Sequence, residues 1–197
     1  MSEKIKNSRK LRDLIRIGVF SALWIAISWI IACSIGFFPP ILLVMPCVLA
    51  IVGGIILVVM LSKTIINGGI LVSSFLFGSC LFSMVPYGLM FIFIFAGGII
   101  GEIIYDTLGQ KSDKFKILGI IFPMLGLALG EYIPICYMQD AFKSLYESKM
   151  TSNVAEAVMG SISTPLVVIF TGATIICGYL GCFWGKKIQE KRLAKNR

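Results

Sequence analysis

The sequence contains no histidine, and only 14% of its 197 residues are charged. The missing imidazole removes the commonest protein ligand for transition metals and the commonest general base. The sequence also has no C-x-x-C pair and no G-x-x-x-x-G-K-[ST] phosphate-binding loop. The composition therefore predicts no metal site, no cofactor and no ATP hydrolysis by this chain. The six cysteines all lie in apolar runs, which predicts small buried side chains.

Most of the sequence is apolar. Hydrophobic residues make up 57% of the chain and the mean hydropathy is +0.92, values that a soluble domain of this length rarely reaches. The apolar residues form six runs of about 20 residues, the length at which a helix crosses a bilayer. We therefore predict an all-α integral membrane protein, with a segment 1–13, a membrane domain 14–185 and a basic tail 186–197. The six predicted transmembrane helices are 14–36, 41–62, 65–84, 87–106, 117–138 and 163–185.

Positive charge is distributed unevenly around these six predicted helices. Of the 18 lysines and arginines, 16 lie in the N-terminal segment, at Lys63, in the loop 108–116 and in the C-terminal tail. The loops on the other side carry only Lys143 and Lys149. The positive-inside rule therefore predicts that both termini are cytoplasmic in a multi-pass protein of the bacterial cytoplasmic membrane. The same rule explains the basic character without nucleic acid, and it places the tails beside anionic membrane lipid.

The polar stretch 139–162 falls on the predicted outer side. It includes "QDAFKSLYESKMTSNVAEAVMGS", in which apolar residues recur at helical spacing with an interruption near 151–153. This pattern predicts two short amphipathic helices lying over the outer face. Long loops are often functional, so they form either a lid or a plain surface connection.

A stripe of small residues runs along the first predicted helix. Gly18, Ala22 and Ala26 are four residues apart, so they share one helical face. In lipid, helices associate through close packing, and small residues allow their backbones to approach. The stripe is therefore either a docking face for a partner or a packing face within the molecule. A second pair, Gly97 and Gly101 in the fourth predicted helix, is interpreted as internal packing.

The pattern as a whole resembles the substrate-binding S component of an energy-coupling factor (ECF) transporter, and within that class the Trep-Strep group. The resemblance rests on six helices with both termini inside, a cationic start and an Ala-x-x-x-Ala pair on the first helix. It covers nearly the whole chain. The stretches that carry it are "LIRIGVFSALWIAISWI", "FIFAGGIIGEII", "YMQDAFKSLYESKM" and "STPLVVIFTGATIICGYLGCFWGKKI".

The resemblance implies a transport role with a division of labour. Such a protein binds a small organic molecule from outside and docks, here through Gly18, Ala22 and Ala26, on a coupling membrane subunit. Two cytoplasmic ATPases hydrolyse ATP, and the S component topples in the membrane and releases its substrate inside. The substrate would be vitamin-like or another micronutrient. If it were haem, the iron ligands would come from Tyr87, Met84, Tyr137 or Met138, since histidine is absent.

The resemblance also places the ligand pocket near the outer surface. Glu131 is the one acidic residue well within the membrane in the outer half, where it would meet a cationic or hydrogen-bonding ligand group, relay a proton or bond to a neighbouring helix. Towards the inner side, Glu102 and Asp106 are predicted to pair with Lys111 or with the partner subunit. The candidate substrate-binding residues are Phe37, Phe38, Tyr87, Glu131, Tyr132, Tyr137, Met138, Asp140, Ser163 and Thr164.

Two other functions remain open from the residues alone. A small intramembrane enzyme would need a nucleophile with its base, or a metal-binding pattern, and no H-E-x-x-H or G-x-S-x-G is present. A channel would need a pore-like run of polar residues along a span, which the sequence also lacks, and an assembly subunit without transport coupling is the other alternative. We therefore expect a protein that is not an enzyme and that binds its substrate for transport.

Overall fold

A computed structural model describes residues 2–35, 43–147, 160 and 163–195 of the chain. In this part of the chain every regular element is a helix, which confirms the all-α prediction. A short 3-10 turn at Pro86–Gly88 precedes the fourth α-helix. The α-helices are α1 (Ser2–Ile35), α2 (Met45–Leu61), α3 (Gly69–Cys80), α4 (Leu89–Thr107), α5 (Asp113–Tyr137), α6 (Gln139–Glu147) and α7 (Thr164–Lys195).

Glycines with left-handed backbone set the starts of two helices. Gly68, with φ of 96°, precedes α3, and Gly88, with φ of 64°, precedes α4. A side chain at Gly88 would also run into the ring of Phe82. Since residues with a β-carbon rarely adopt this backbone, glycine allows the sharp changes of direction between α2, α3 and α4.

Within the described residues, four helices are long and apolar enough to cross a membrane, namely Ser8–Ser34, Pro86–Thr107, Asp113–Tyr137 and Thr164–Lys191. Helices α2 and α3 are shorter, with 17 and 12 residues. A 12-residue helix is about 18 Å long, against about 30 Å for the hydrocarbon core. The predicted span 65–84 is therefore wrong in length, because the chain turns at Gly68 and again after Cys80. Six crossings and cytoplasmic termini stay predictions.

Polar contacts show which helix ends lie together. The Arg16 guanidinium donates to the carbonyl of Lys63 at 2.7 Å, which joins α1 to the chain after α2. Lys186 Nζ pairs with Asp113 Oδ2 at 3.0 Å, which joins the later part of α7 to the start of α5. We call this end of the bundle the basic end. The other end, which carries the end of α5, the helix α6 and the start of α7, is the opposite end.

Helix α5 forms the centre of the bundle. In its most apolar 18-residue window 72% of residues are buried, compared with 22% for α1 and 28% for α7. The largest buried side chain, Trp24 of α1, stacks on Phe77 of α3 with ring centroids 4.1 Å apart. Met124 of α5 is fully buried in the same core cluster. The helices on the outside, α1 and α7, consequently present most of their surface to lipid.

Close contact between α4 and α5 depends on glycine. A β-carbon on Gly97 would lie 2.5 Å from the carbonyl oxygen of Phe122, and one on Gly101 would overlap the carbonyl oxygen of Gly119. The interpretation of Gly97 and Gly101 as an internal packing pair is therefore confirmed.

Several predicted boundaries and burials differ from the structure. Helix α1 begins at Ser2 and α7 continues to Lys195, so both extend well beyond the predicted spans. Cys33 and Cys80 are exposed on the helix surface, so the prediction of buried cysteines is wrong for them. Both lie near the ends of their helices, where a thiol is tolerated on the surface as a small, weakly polar group.

The first of the two predicted amphipathic helices is present as α6, and it buries Phe142 to 2% exposure. The second predicted helix lies outside the described residues.

We expect Gly101→Ala to destabilise the bundle, since its methyl group would force α4 away from α5. The expected loss is about 1–3 kcal/mol of unfolding free energy, measured by thermal unfolding in detergent with tryptophan fluorescence. Gly172→Ala is the matched control, because a β-carbon there meets nothing within 4 Å. It should leave the unfolding temperature unchanged or raised, and an equal loss in both variants would contradict the packing argument.

Candidate functional site

Two of the predicted site residues, Glu131 and Tyr132, lie inside the protein. Glu131 is 5% exposed and Tyr132 is 1% exposed, both on α5 towards the opposite end. The Tyr132 hydroxyl donates to the carbonyl of Leu43 at 2.6 Å, and its ring lies 6.3 Å from that of Phe170. Tyr132 thus ties the centre of the bundle to the chain ahead of α2 and to α7.

A second polar contact joins α2 and α7 at the same level. Cys47 Sγ lies 3.5 Å from Thr174 Oγ1, and the Thr174 hydroxyl donates to the carbonyl of Phe170 at 2.8 Å. Thr174 is fully buried. Glu131, Tyr132, Cys47 and Thr174 form what we call the opposite-end polar layer.

Some polar atoms in this half of the protein lack hydrogen-bond partners among the described residues. They are Glu131 Oε1 on α5, Ser28 Oγ on α1 and Thr171 Oγ1 on α7. Trp24 Nε1, one turn before Ser28 on α1, also lacks a partner. The hydrocarbon region of a membrane contains no water to form hydrogen bonds with such atoms. Each one therefore carries a desolvation cost until a polar group reaches it. For Glu131 Oε1, the described residues supply no bond to a neighbouring helix, and binding of a ligand group stays a prediction.

The other described candidates lie at the opposite end but on the surface. Tyr87 is 73% exposed and Tyr137 is 64% exposed. Thr164 Oγ1 lies 4.0 Å from Cys136 Sγ, so the start of α7 adjoins the end of α5. Met138 is half-buried, whereas Asp140, Ser163 and Thr164 are exposed. Phe37 and Phe38 lie outside the described residues. The fold brings these side chains to one end of the molecule, and only Glu131 and Tyr132 enter its interior.

The stripe of small residues lies on the outward surface of α1. Ala22 and Ala26 are exposed, and a β-carbon on Gly18 would meet nothing within 4 Å. The bundle instead uses the other face of the helix, which buries Asp13, Ile17, Ser21, Trp24 and Ser28. Among the described residues, the stripe therefore has no packing role, and its surface is available to another protein.

Glu102 has a structural role at the basic end. Its carboxylate accepts the backbone N–H groups of Gly68 at 2.6 Å, Ile70 at 2.8 Å and Leu71 at 3.0 Å. Glu102 thus bonds to backbone groups instead of to Lys111, so that predicted pairing is wrong, whereas pairing of Glu102 or Asp106 with the partner subunit stays a prediction. Helix α3 begins after glycine and has no side-chain cap of its own, so a carboxylate from α4 satisfies its free N–H groups.

The same loop is held from its other side by α1. Asp13 Oδ2 accepts the N–H of Ile65 at 3.1 Å, and Asp13 Oδ1 pairs with Arg16 at 3.0 Å. Deeper in the bundle, the Ser21 hydroxyl donates to Ser73 Oγ at 2.8 Å. Helix α1 is therefore attached to α3 and its preceding loop by polar contacts as well as by apolar packing.

Sequence reasoning missed Ser28, Cys47, Thr171 and Thr174 as members of the polar half of the bundle. Thr171 and Thr174 are polar residues three positions apart in an apolar run, so their shared helical face was a usable signal. Cys47 gave no such signal, because a thiol in an apolar run is usually a small core residue.

Fold and site together define a multi-pass, all-helical integral membrane protein with a polar layer buried in one half of its bundle. The family model described as "Hypothetical bacterial integral membrane protein (Trep_Strep)" matches residues 11–195. The chain therefore belongs to the Trep_Strep family and is a multi-pass protein of the bacterial cell membrane. No curated protein and no solved structure matches the chain significantly.

We expect Glu102→Gln to destabilise the protein, because an amide cannot accept three backbone N–H groups as a carboxylate does. Hydrogen bonds to a charged group contribute about 1.5–3 kcal/mol, which sets the expected loss in unfolding free energy. Asp106→Asn removes the same charge one turn along α4, at a half-buried residue with no hydrogen bond among those described. That control should stay within about 0.5 kcal/mol of wild type. Equal unfolding temperatures for the two variants would rule out the capping role.

Proposed function

We propose that this protein is the substrate-binding subunit of an ECF-type importer. It captures a small organic molecule, vitamin-like or another micronutrient, from outside the cell. It then docks through α1 on a coupling membrane subunit that is energised by two separate cytoplasmic ATPases. The protein itself is not an enzyme and has no cofactor, and ATP is used only by its partners.

The observation that carries this proposal is the outward position of Gly18, Ala22 and Ala26. A helix that only anchors a bundle in lipid has no need of a smooth outer stripe. Close approach of a second helix does need one, since packing drives helix association where the hydrophobic effect is absent. On α1 the buried polar face holds the bundle together, and the small outer face is left for a partner.

The opposite-end polar layer supports the binding half of the proposal. Glu131 Oε1 is buried without a partner among the described residues, two turns into the protein from the end of α5. A carboxylate at this depth suits a ligand group that donates hydrogen bonds or carries positive charge. The ring of Tyr132, a member of this layer, lies near that of Phe170. Both rings would contact an apolar part of the ligand.

The docking prediction is tested by affinity purification of the tagged protein from its own membranes in mild detergent. We expect wild type to bring down a membrane subunit and ATPases, and Ala22→Leu/Ala26→Leu to lose them at least about tenfold, because bulky side chains prevent close helix approach. The partners are identified by mass spectrometry.

A matched pair of glycine variants controls for added bulk. A side chain at either Gly18 or Gly172 meets open space in this chain, so both Gly18→Leu and Gly172→Leu should fold. Only Gly18→Leu should weaken the complex. Loss of the ATPases in both variants, or in neither, would contradict docking through the stripe. Absence of ATPases from the wild-type complex would count against the transporter function itself.

The binding prediction concerns a ligand that copurifies with the protein. We expect Glu131→Gln to reduce its occupancy by about tenfold or more, since a charged hydrogen bond contributes about 1.5–3 kcal/mol. Occupancy is measured by mass spectrometry of the denatured, extracted sample. Glu190→Gln, an exposed residue near the end of α7, is the control with the same substitution. Equal occupancy in both variants would exclude Glu131 from the site.

A further inference from the structure

A cleft opens at the basic end between the first turns of α1 and the chain that follows α2. Its volume is about 180 Å³, and it is lined by Arg9, Arg12, Asp13, Arg16 and Ile65. This volume equals that of about six water molecules, enough for a phosphodiester group. The three arginines are spaced at i, i+3 and i+7, so they lie along one stripe of the helix.

The charges in this cleft are not balanced. Asp13 uses its two carboxylate oxygens on Arg16 and on the N–H of Ile65. Arg16 in turn also donates to the carbonyl of Lys63. Arg9 and Arg12 have no ion pair within the described ranges. The cleft therefore presents two unpaired guanidinium groups, whose planar donor geometry suits phosphate oxygens.

The position of the cleft is that of a membrane surface. Arg9, Arg12 and Arg16 immediately precede the long apolar run of α1 that begins at Ile17, so they lie where the helix enters the membrane. An exposed apolar side chain lines the same cleft, since Ile65 is 85% exposed. Phosphate-binding groups beside an apolar surface match a phospholipid, whose head group and acyl chains are joined in the same arrangement. A soluble phosphate compound would have no use for the apolar part.

We propose that this cleft binds the phosphate of an anionic phospholipid from the leaflet at the basic end. Arg9 and Arg12 hold the phosphate oxygens, and Arg16 adds charge while it keeps the loop after α2 in place. The acyl chains extend from the cleft past Ile65 into the hydrocarbon layer. Because a negatively charged lipid offsets both unpaired guanidinium groups better than a zwitterionic one, the cleft selects by head-group charge.

This lipid site is separate from the small stripe. The arginines lie about a third of a turn around α1 from Gly18, Ala22 and Ala26, given 100° per residue. Substitutions in the cleft therefore leave the stripe unchanged, and lipid binding is measurable whether or not the protein docks on a partner.

The test compares wild type with Arg9→Gln/Arg12→Gln after purification in detergent with equal amounts of phosphatidylglycerol and phosphatidylcholine. Native mass spectrometry counts the lipids retained. Wild type should retain phosphatidylglycerol preferentially. In the double variant this preference should fall by about thirtyfold. Each of the two removed cationic side chains contributes about fivefold to the binding of anionic lipid at a membrane surface.

A matched variant, Lys187→Gln/Lys191→Gln, removes two charges from exposed positions at the end of α7. It should keep the wild-type lipid preference. Three results would overturn the proposal. Wild type could show no preference for phosphatidylglycerol, or both double variants could lose the preference equally. In the third, inorganic phosphate releases the lipid, and the arginines are needed to bind that ion but not the lipid. The first would show that the protein does not select anionic lipid, the second would indicate diffuse charge, and the last a site for soluble phosphate. Unfolding temperatures of all three proteins verify that the fold is intact.

Discussion

The Glu102 carboxylate makes the short helix α3 possible. A helix of 12 residues cannot place both of its ends in water across a membrane, so its free N–H groups need partners within the protein. Glu102 accepts three such groups and fixes the start of α3 against α4. With α3 in place, Phe77 stacks on Trp24 and the centre of the bundle is closed. Glu102 and the buried Asp13 together fix the loop between α2 and α3 at the basic end.

Helix α1 combines two roles through its two faces. One face contributes Asp13, Ser21 and Trp24 to polar and apolar contacts with the bundle. The other face keeps the small side chains of Ala22 and Ala26 on the outside. Because the bundle already has its contacts, occupation of the outer stripe by a partner would leave the protein's own core intact.

The two ends of the molecule differ in how their polar groups are satisfied. At the basic end, Asp13 and Glu102 have backbone partners in the loop between α2 and α3, so these carboxylates stabilise the fold. At the opposite end, Tyr132 has a partner in Leu43, whereas Glu131 Oε1, Ser28 Oγ and Thr171 Oγ1 have none in the described parts of the chain. In the described parts of the chain, buried polar atoms without partners are therefore concentrated in the half where the ligand is proposed to bind.

The sequence by itself determined the helical class, the membrane setting and the approximate place of each apolar helix, because these depend on local composition and run length. It also identified Glu131 as an unusual residue at its depth and Gly18, Ala22 and Ala26 as one stripe. Tertiary structure alone decided which way these features face. The stripe lies on the outside because Trp24 and Asp13 pack into the bundle from the other face of α1. Glu102 points inward, where it bonds to the start of α3, a helix without a side-chain cap of its own. Such outcomes depend on contacts between residues distant in the chain, about which local pattern carries no information.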